Sequence, residues 1–296
     1  MIRKWRKVTY INIFSAFDGM SCGRIACERA GIKVNNYYAS EIKPCAIKVS
    51  KHNYPDIIHI GDITKVSYNK GVLTTEQGEF KTKIDLLIGG SPCQSITRLN
   101  TKKGIYEGKS DMFFEYLRIY NEIKPKYFLL ENVNGHKESL DAITSWLGVE
   151  PIRINSNLVS YQNRDRLYWT NIPGVTIPID KHISFQDYKE TDYEILKEYK
   201  VKRTPSRVKM WECDCPNVTY RDKINCLTRK QDRRSNAGLV EFEDFCRYLT
   251  VKECEMAQTV PIGYTDCLTR SQAYDVLGDG WTVDVISHIL SFLKEN

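Results

Sequence analysis

From residue 8 to residue 169 the chain alternates short runs of β-branched and aromatic residues with stretches of helical spacing, and this rhythm restricts the fold more than any other feature. Residues 8–14, 37–40, 57–60, 84–88, 127–130 and 167–169 read as strands, and 22–30, 44–53, 111–123 and 139–147 read as helices between them. Strand and helix in succession make βαβ units. Such units stack into an α/β fold with a doubly wound, mostly parallel sheet. The rhythm stops between about Pro173 and Cys246, where Lys, Arg, Asp, Tyr and isolated prolines follow neither period. Helical spacing returns at 251–258 and 283–293. The expected organisation is one larger domain, 1–172 with 247–296, and a smaller lobe, 173–246.

Composition narrows the function classes. A chain of 296 residues with 42% hydrophobic content can bury a sizeable core. A net charge of +6 is modest for a nucleic-acid binder, so a phosphate-contacting surface has to be a local patch. Ten cysteines in a long chain that opens Met-Ile-Arg-Lys-Trp-Arg-Lys, without a signal-peptide core, point to reduced thiols and a cytoplasmic protein. No apolar run nears the roughly 18 residues that would span a bilayer. Cys213, Cys215 and Cys226 have no fourth partner at zinc spacing, so no metal is expected.

In an open α/β sheet, ligands sit at the carboxyl ends of the strands. The first strand runs into Phe17-Asp18-Gly19-Met20-Ser21-Cys22-Gly23, a small-residue turn before a helix that lacks the dinucleotide glycine fingerprint. The second ends in Glu41 and the third in Gly61-Asp62, carboxylates suited to ribose hydroxyls and an adenine amino group. The fourth is followed by Gly89-Gly90-Ser91-Pro92-Cys93, a tight turn that presents one thiol at the sheet edge as a candidate nucleophile. Glu131-Asn132-Val133 ends the fifth strand, and Gln162-Asn163-Arg164-Asp165-Arg166 precedes the next, adding a carboxyl group and two guanidinium groups.

These motifs, with Gly278-Asp279-Gly280-Trp281-Thr282-Val283 near the C-terminus, occur in an order that resembles the DNA cytosine-5 methyltransferase family over nearly the whole chain. Gly104-Ile105-Tyr106-Glu107-Gly108 and the tryptophan of the last motif are similar to the de novo enzymes and to short phage-borne relatives. The resemblance implies the class I S-adenosylmethionine methyltransferase fold, S-adenosyl-L-methionine as cofactor and double-stranded DNA as partner of a monomer. It implies that Phe17, Asp18, Gly19, Met20 and Cys22 line the methionine part of the cofactor, Glu41 its ribose and Asp62 its adenine. Ile42 and Ile63 would flank that base, and Trp281 and Val283 would close the pocket. Cys93 would attack carbon 6 of cytosine, Glu131 would hold ring N3 and the amino group, and Arg164 and Arg166 would steady the flipped base and its phosphate.

The same resemblance makes the segment 95–108, with Arg98, Lys102 and Lys103, a loop that closes over DNA, and makes 173–246 the target-recognition lobe. In that lobe Arg229 is the expected reader of guanine, and Lys230, Arg233 and Arg234 are expected at phosphates. Two residues depart from the common pattern: Asp279, where asparagine is frequent, and Cys22, where threonine or glycine is frequent. Two rival readings stay open at this point. A transfer-RNA cytosine-5 methyltransferase would share the Pro-Cys and Glu-Asn-Val motifs, and a catalytically silent DNA-binding regulator would share the fold.

Overall fold

The computed structural model describes residues 10–92, 112–206, 208–209, 217–230, 236–242 and 245–294. A seven-stranded sheet forms its centre. Strand β1 (Tyr10–Ala16) leads through α1 (Cys22–Arg29) to β2 (Lys33–Ser40), and through α2 (Pro44–Asn53) to β3 (Ile58–Gly61). A side meander, β4 (Ser67–Asn69), β5 (Val72–Thr75) and β6 (Gly78–Lys81), precedes β7 (Leu86–Gly90), α3 (Met112–Ile123), β8 (Tyr127–Val133) and α4 (Lys137–Leu147). Then come β9 (Ile152–Asn155) and β10 (Asp165–Thr170). The sheet order is β3-β2-β1-β7-β8-β10-β9, parallel from β3 to β8, with β10 antiparallel to both of its neighbours. The expected doubly wound, mostly parallel sheet is thereby met.

Alternate strand residues face opposite layers. Ile13, Leu86, Ile88 and Leu129 point into one apolar cluster with α1, and Phe14, Leu87, Phe128 and Leu130 point into the other with α3 and α4. Burial on both faces explains why the central strands read as continuous apolar runs. The chain order reverses between β1 and β7, whose registers pair Ala16 with Gly89. At such a switch point the loops leaving the carboxyl ends diverge and leave a crevice.

Several elements depart from the expected boundaries or were not expected at all. β2 starts at Lys33, four residues before the apolar run, because Lys33 and Asn35 are exposed and Val34 and Asn36 only partly covered at its open end. β9 and the strands of the β4–β6 meander are three or four residues long, too short for a period to stand out. The stretch 173–246 contributes a short helix, α5 (Tyr193–Leu196), and a small sheet of β11 (Lys200–Val201), β12 (Val240–Glu241) and β13 (Cys246–Arg247). Its Phe185, Val218, Ile224, Leu227 and Ala237 are buried in the same apolar cluster as α1.

Three helices complete the chain: α6 (Val251–Ala257), α7 (Arg270–Asp279) and α8 (Val283–Ser291). α6 and α7 each start on a capping box, Thr250 with Glu253 and Thr269 with Gln272. Glu253 also meets Arg247 of β13 through two parallel bonds of 2.8 Å, with both side chains at 0% exposure. A further oxygen-to-nitrogen bond, from the Glu190 backbone N–H to Glu253 at 2.8 Å, ties in the chain before α5. Removing one member of a fully buried pair strands the other charge in a low dielectric. Arg247→Met is therefore expected to lower the unfolding free energy by about 3–5 kcal/mol in urea titration. The double variant Arg247→Met/Glu253→Leu should cost less than the sum of the two single changes, and simple additivity of the two would show that the pair is not coupled.

Candidate active site

The turn after β1 is bent by three left-handed residues in five: Phe17 at φ 56°, Gly19 at φ 61° and Ser21 at φ 64°. For Phe17 and Ser21 this conformation costs about 1–2 kcal/mol each. Side-chain bonds hold the turn. Asp18, buried beneath it, accepts hydrogen bonds from Ser21 Oγ at 2.5 Å and Tyr37 Oη at 2.7 Å. Ser21 Oγ is 2.6 Å from Ser50 Oγ, which in turn lies 3.3 Å from His59 Nε2. Burial outweighs these donors and raises the Asp18 carboxyl to about 6.

Above the turn a cavity of about 500 Å³ runs along the carboxyl edge of the sheet. Phe17, Asp18, Gly19, Cys22, Glu41, Ile42, Asp62 and Ile63 lie on its wall. Glu41 is held at 2.8 Å from each of the backbone N–H groups of Gly19, Ile42 and Lys43. Asp62 Oδ1 caps the following turn by accepting from Thr64 N at 2.9 Å. Ile63 is buried, while Ile42 is 69% exposed and presents an apolar face at the cavity mouth. Burial pushes the Cys22 thiol up to about 12, so this wall cysteine is no nucleophile near neutral pH. Met20 and Val283, expected on the same wall, are instead at 0% exposure in the core, where they back the turn and the start of α8.

At the far end of the cavity, Gly90 of β7 stands beside Glu131 of β8 in the parallel register. Glu131 Oε1 lies 2.9 Å from Arg166 Nε, and its Oε2 accepts from the Trp281 indole N–H at 3.2 Å. A Cβ on Gly90 would stand 2.8 Å from Trp281 Nε1 and 3.0 Å from Glu131 Oε2, so the cradle exists only with glycine there. Ser91 and Pro92 continue the wall from Gly90. Asn132 Nδ2 donates to Ser91 Oγ at 3.0 Å, fixing the start of the turn that leads to residue 93. Cys93 itself, with Arg98, Lys102, Lys103, Arg233 and Arg234, lies outside the described residues.

The two arginines separate in role. Arg166 meets the carboxylate, whereas Arg164 is 5% exposed and points its Nη1 to Cys226 Sγ at 3.3 Å and to the carbonyls of Leu227 and Gly278 at 3.4 Å. Arg164 thus clamps the 226–229 segment against the last turn of α7. Arg229 borders the cavity but is tethered: its Nε lies 2.6 Å from Asp275 and 3.6 Å from Asp279. Lys43 joins the same cluster, 2.7 Å from Asp275 and 2.9 Å from Asp279. Against the opposing pull of burial, Lys43 and Arg229 hold the Asp275 carboxyl below its ordinary value. Lys230 is exposed beside this cluster.

Sequence reasoning missed Lys43, Asp275, Tyr37 and the buried Gln258. One signal was available for Asp275. The Thr269–Gln272 capping box starts a helix on which Asp275 and Asp279 are one turn apart. Among the described residues, no group of three or more His, Cys, Asp or Glu could hold a metal ion, and no helix is long and apolar enough to cross a membrane.

Known proteins share this fold. Residues 11–144 match the family model of the C-5 cytosine-specific DNA methylases. That segment carries β1 through α4 and therefore the Phe17–Gly19 turn, Cys93 and Glu131. The type II methyltransferase M.NgoBV of Neisseria gonorrhoeae is 33% identical over 184 residues, 56% of this chain and 41% of that protein. The orphan methyltransferase M.SPRI of Bacillus phage SPR is 29% identical over 196 residues, 62% of this chain and 42% of that protein. The chain thus spans less than half the length of these curated relatives. The structure of the Dnmt2 methyltransferase of S. pombe superposes with a TM-score of 0.75 at 20% identity, covering 96% of this chain and 98% of that one. The Entamoeba histolytica methyltransferase EhMeth superposes with a TM-score of 0.76 at 18% identity, over 97% and 98%. The fold is that of these methyltransferases.

The raised Asp18 carboxyl gives a pH test of the methylase-segment turn. Its folded value, about 6, exceeds the ordinary 3.8, so between those pH values the folded chain retains a proton that the unfolded chain has lost. Stability contributed by the protonated form is complete below the lower value and declines as pH rises through the window, by about 3 kcal/mol at most. Urea titrations at intervals across that window should show the decline in the wild type and a flatter profile in Asp18→Asn. Parallel profiles for the two proteins would mean that Asp18 is ionised throughout.

Proposed function

We propose that the chain transfers a methyl group from S-adenosyl-L-methionine to carbon 5 of cytosine in duplex DNA, through a flipped base and a covalent bond to Cys93. The observation that carries this reading is the Glu131 carboxylate, fixed between Arg166 and Trp281 at one end of a cavity whose other end is walled by Glu41 and Asp62. The wall fits a nucleoside cofactor. Three of the roughly four acceptor positions on the Glu41 carboxylate are taken by backbone N–H groups, which leaves one for a ribose hydroxyl. Asp62 Oδ2 is available to an amino group, Ile42 offers an apolar face to a base, and the cavity has the size of a small-molecule site.

The cofactor, when bound, supplies the electrophilic methyl group. The remaining chemistry belongs to the side chains. Carbon 5 of cytosine is too weak a nucleophile alone, so the Cys93 thiolate adds to carbon 6 and its electron pair shifts density to carbon 5. Glu131 accepts from the exocyclic amino group with one oxygen and shares a proton with ring N3 through the other, which steadies the negative charge that develops there. After transfer, the proton on carbon 5 leaves to a base, the carbon–sulfur bond breaks, and the thiolate is restored. Access to carbon 6 requires extrusion of the nucleotide from the duplex, at a cost of a few kcal/mol that interface contacts offset. The 173–246 stretch, with Arg229 toward a guanine and Lys230, Arg233 and Arg234 toward phosphates, is the natural source of those contacts, with 95–108 closing from the other side.

A duplex with 5-fluorocytosine at the target blocks the proton-loss step. A denaturant-stable protein–DNA adduct should accumulate with wild type and cofactor, and none with Cys93→Ala. Turnover by Cys93→Ala would overturn the covalent route, and methylation of bulk transfer RNA in preference to duplex DNA would transfer the reading to the RNA class. In calorimetry without DNA, Glu41→Ala and Asp62→Ala should each weaken cofactor binding by about 1–3 kcal/mol, the usual result when a polar partner is lost. Unchanged affinity in both would place the adenosine elsewhere.

A further inference from the structure

A second cleft, of about 540 Å³, opens beside the cavity, and Arg229 borders both. Its walls come from β11 (Lys200), from the residue after β13 (Tyr248), from the start of α7 (Arg270) and from the 229–230 segment. Four cations, Lys200, Arg229, Lys230 and Arg270, border it against one carboxylate, Glu198. Two of the cations are already matched. Arg229 pairs with Asp275, and Arg270 reaches Glu198 at 2.9 Å while its guanidinium lies 4.2 Å from the Tyr199 ring centre. The other two are not matched by acids among the described residues. Lys200 Nζ is bonded to Tyr193 Oη at 2.7 Å and stands 4.2 Å from the Phe245 ring, partners that orient it without cancelling its charge. Lys230 makes no ion pair among the described residues.

The same cleft is also lined by three aromatic side chains, Tyr199, Tyr248 and Tyr274. Tyr274 is fixed by a bond from its hydroxyl to the Leu249 carbonyl at 2.5 Å. Cations grouped above aromatic faces suit a polyanion that carries flat rings, since the ammonium groups meet phosphate and the rings meet a base or sugar. We propose that this second cleft is a phosphodiester site for the DNA strand, seating the backbone next to the extruded nucleotide, with Lys200 and Lys230 as the phosphate contacts. The proposal rests on the DNA reading above. Placement follows from Arg229, whose tether to Asp275 and Asp279 forms the partition between the two hollows, so that a strand lying in one passes directly to the other.

The test is the salt dependence of binding of fluorescein-labelled duplex DNA, by anisotropy, to the full chain with S-adenosylhomocysteine present. Each lost phosphate contact should remove about 3- to 4-fold from the drop in affinity between 50 and 200 mM salt. Lys200→Gln and Lys230→Gln should each show this, the double variant should show both, and Lys200→Arg should restore the wild-type slope. Both lysines sit at the surface of the cleft, and an unchanged unfolding midpoint establishes that the fold is kept. An unaltered slope in the double variant, while wild type binds and methylates duplex DNA, would overturn the cleft and leave the enzymatic reading intact. A weakened binding of single-stranded RNA alone would also overturn it. Failure of wild type to bind duplex DNA at all would remove both readings together.

Discussion

A pair of buried glutamines holds together segments of this molecule that lie far apart in sequence. Gln162 and Gln258 meet through their amides at 3.1 Å, both at 0% exposure. Each then spends its remaining groups on backbone. Gln162 receives Leu227 N at 2.8 Å and donates to the Ala257 carbonyl at 3.1 Å, and Gln258 donates to the carbonyls of Leu277 and Gly280 at 2.6 and 2.9 Å. The loop before β10, the 226–229 segment, the end of α6 and the turn between α7 and α8 are thus joined at one point. Arg166 and Trp281 converge on Glu131 because their chain segments are fixed there. An amide buried without partners costs several kcal/mol in an apolar medium, so these segments are held as a set or released as a set.

Electrostatics at the cavity follow from the same convergence. Asp279 places a carboxylate on the cavity wall, yet it is 2.9 Å from Lys43 and shares Arg229 with Asp275. The local sum of these four groups is near zero. The negative end of the cavity is therefore set by Glu41, Asp62 and Glu131, and not by Asp279. Asp18 contributes differently, since its burial lets it serve as a hydrogen-bonding post beneath the turn with little charge at mildly acidic pH.

Much of the fold was legible because buried parallel strands leave an unmistakable apolar trace: Leu86, Leu87 and Ile88 read as part of a strand and form the core of β7, while Ile84, read with them, is buried just ahead of it. The edges of the cavity were legible for a topological reason, since the turns after β1, β2, β3 and β7 must gather at the switch point. What stayed hidden depends on packing across long separations. The Lys43–Asp279 contact joins residues 236 positions apart, and nothing local to either announces it. Met20 sits in a motif whose neighbours face the cavity, but the bend at Phe17 and Ser21 turns its side chain inward. Arg229 lay in the most basic run of the 173–246 lobe, yet neither pattern nor charge showed that two aspartates of α7 restrain it.

The close approach at Gly278 shapes what can vary around it. A Cβ there would collide with the backbone of Thr228 and Arg229, so main chain rests on main chain with no side chain between. Such a seat is indifferent to the identity of the residues it carries. Thr228 and Arg229 rest on Gly278 through their peptide groups, the clamp of Arg164 on Leu227 and Gly278 holds the same segment, and the Arg229 side chain adds its own tether to Asp275 and Asp279. The segment is in effect a mount whose seat on the helix asks for no particular side chain at 228, whereas the single glycine beneath it has no freedom to change.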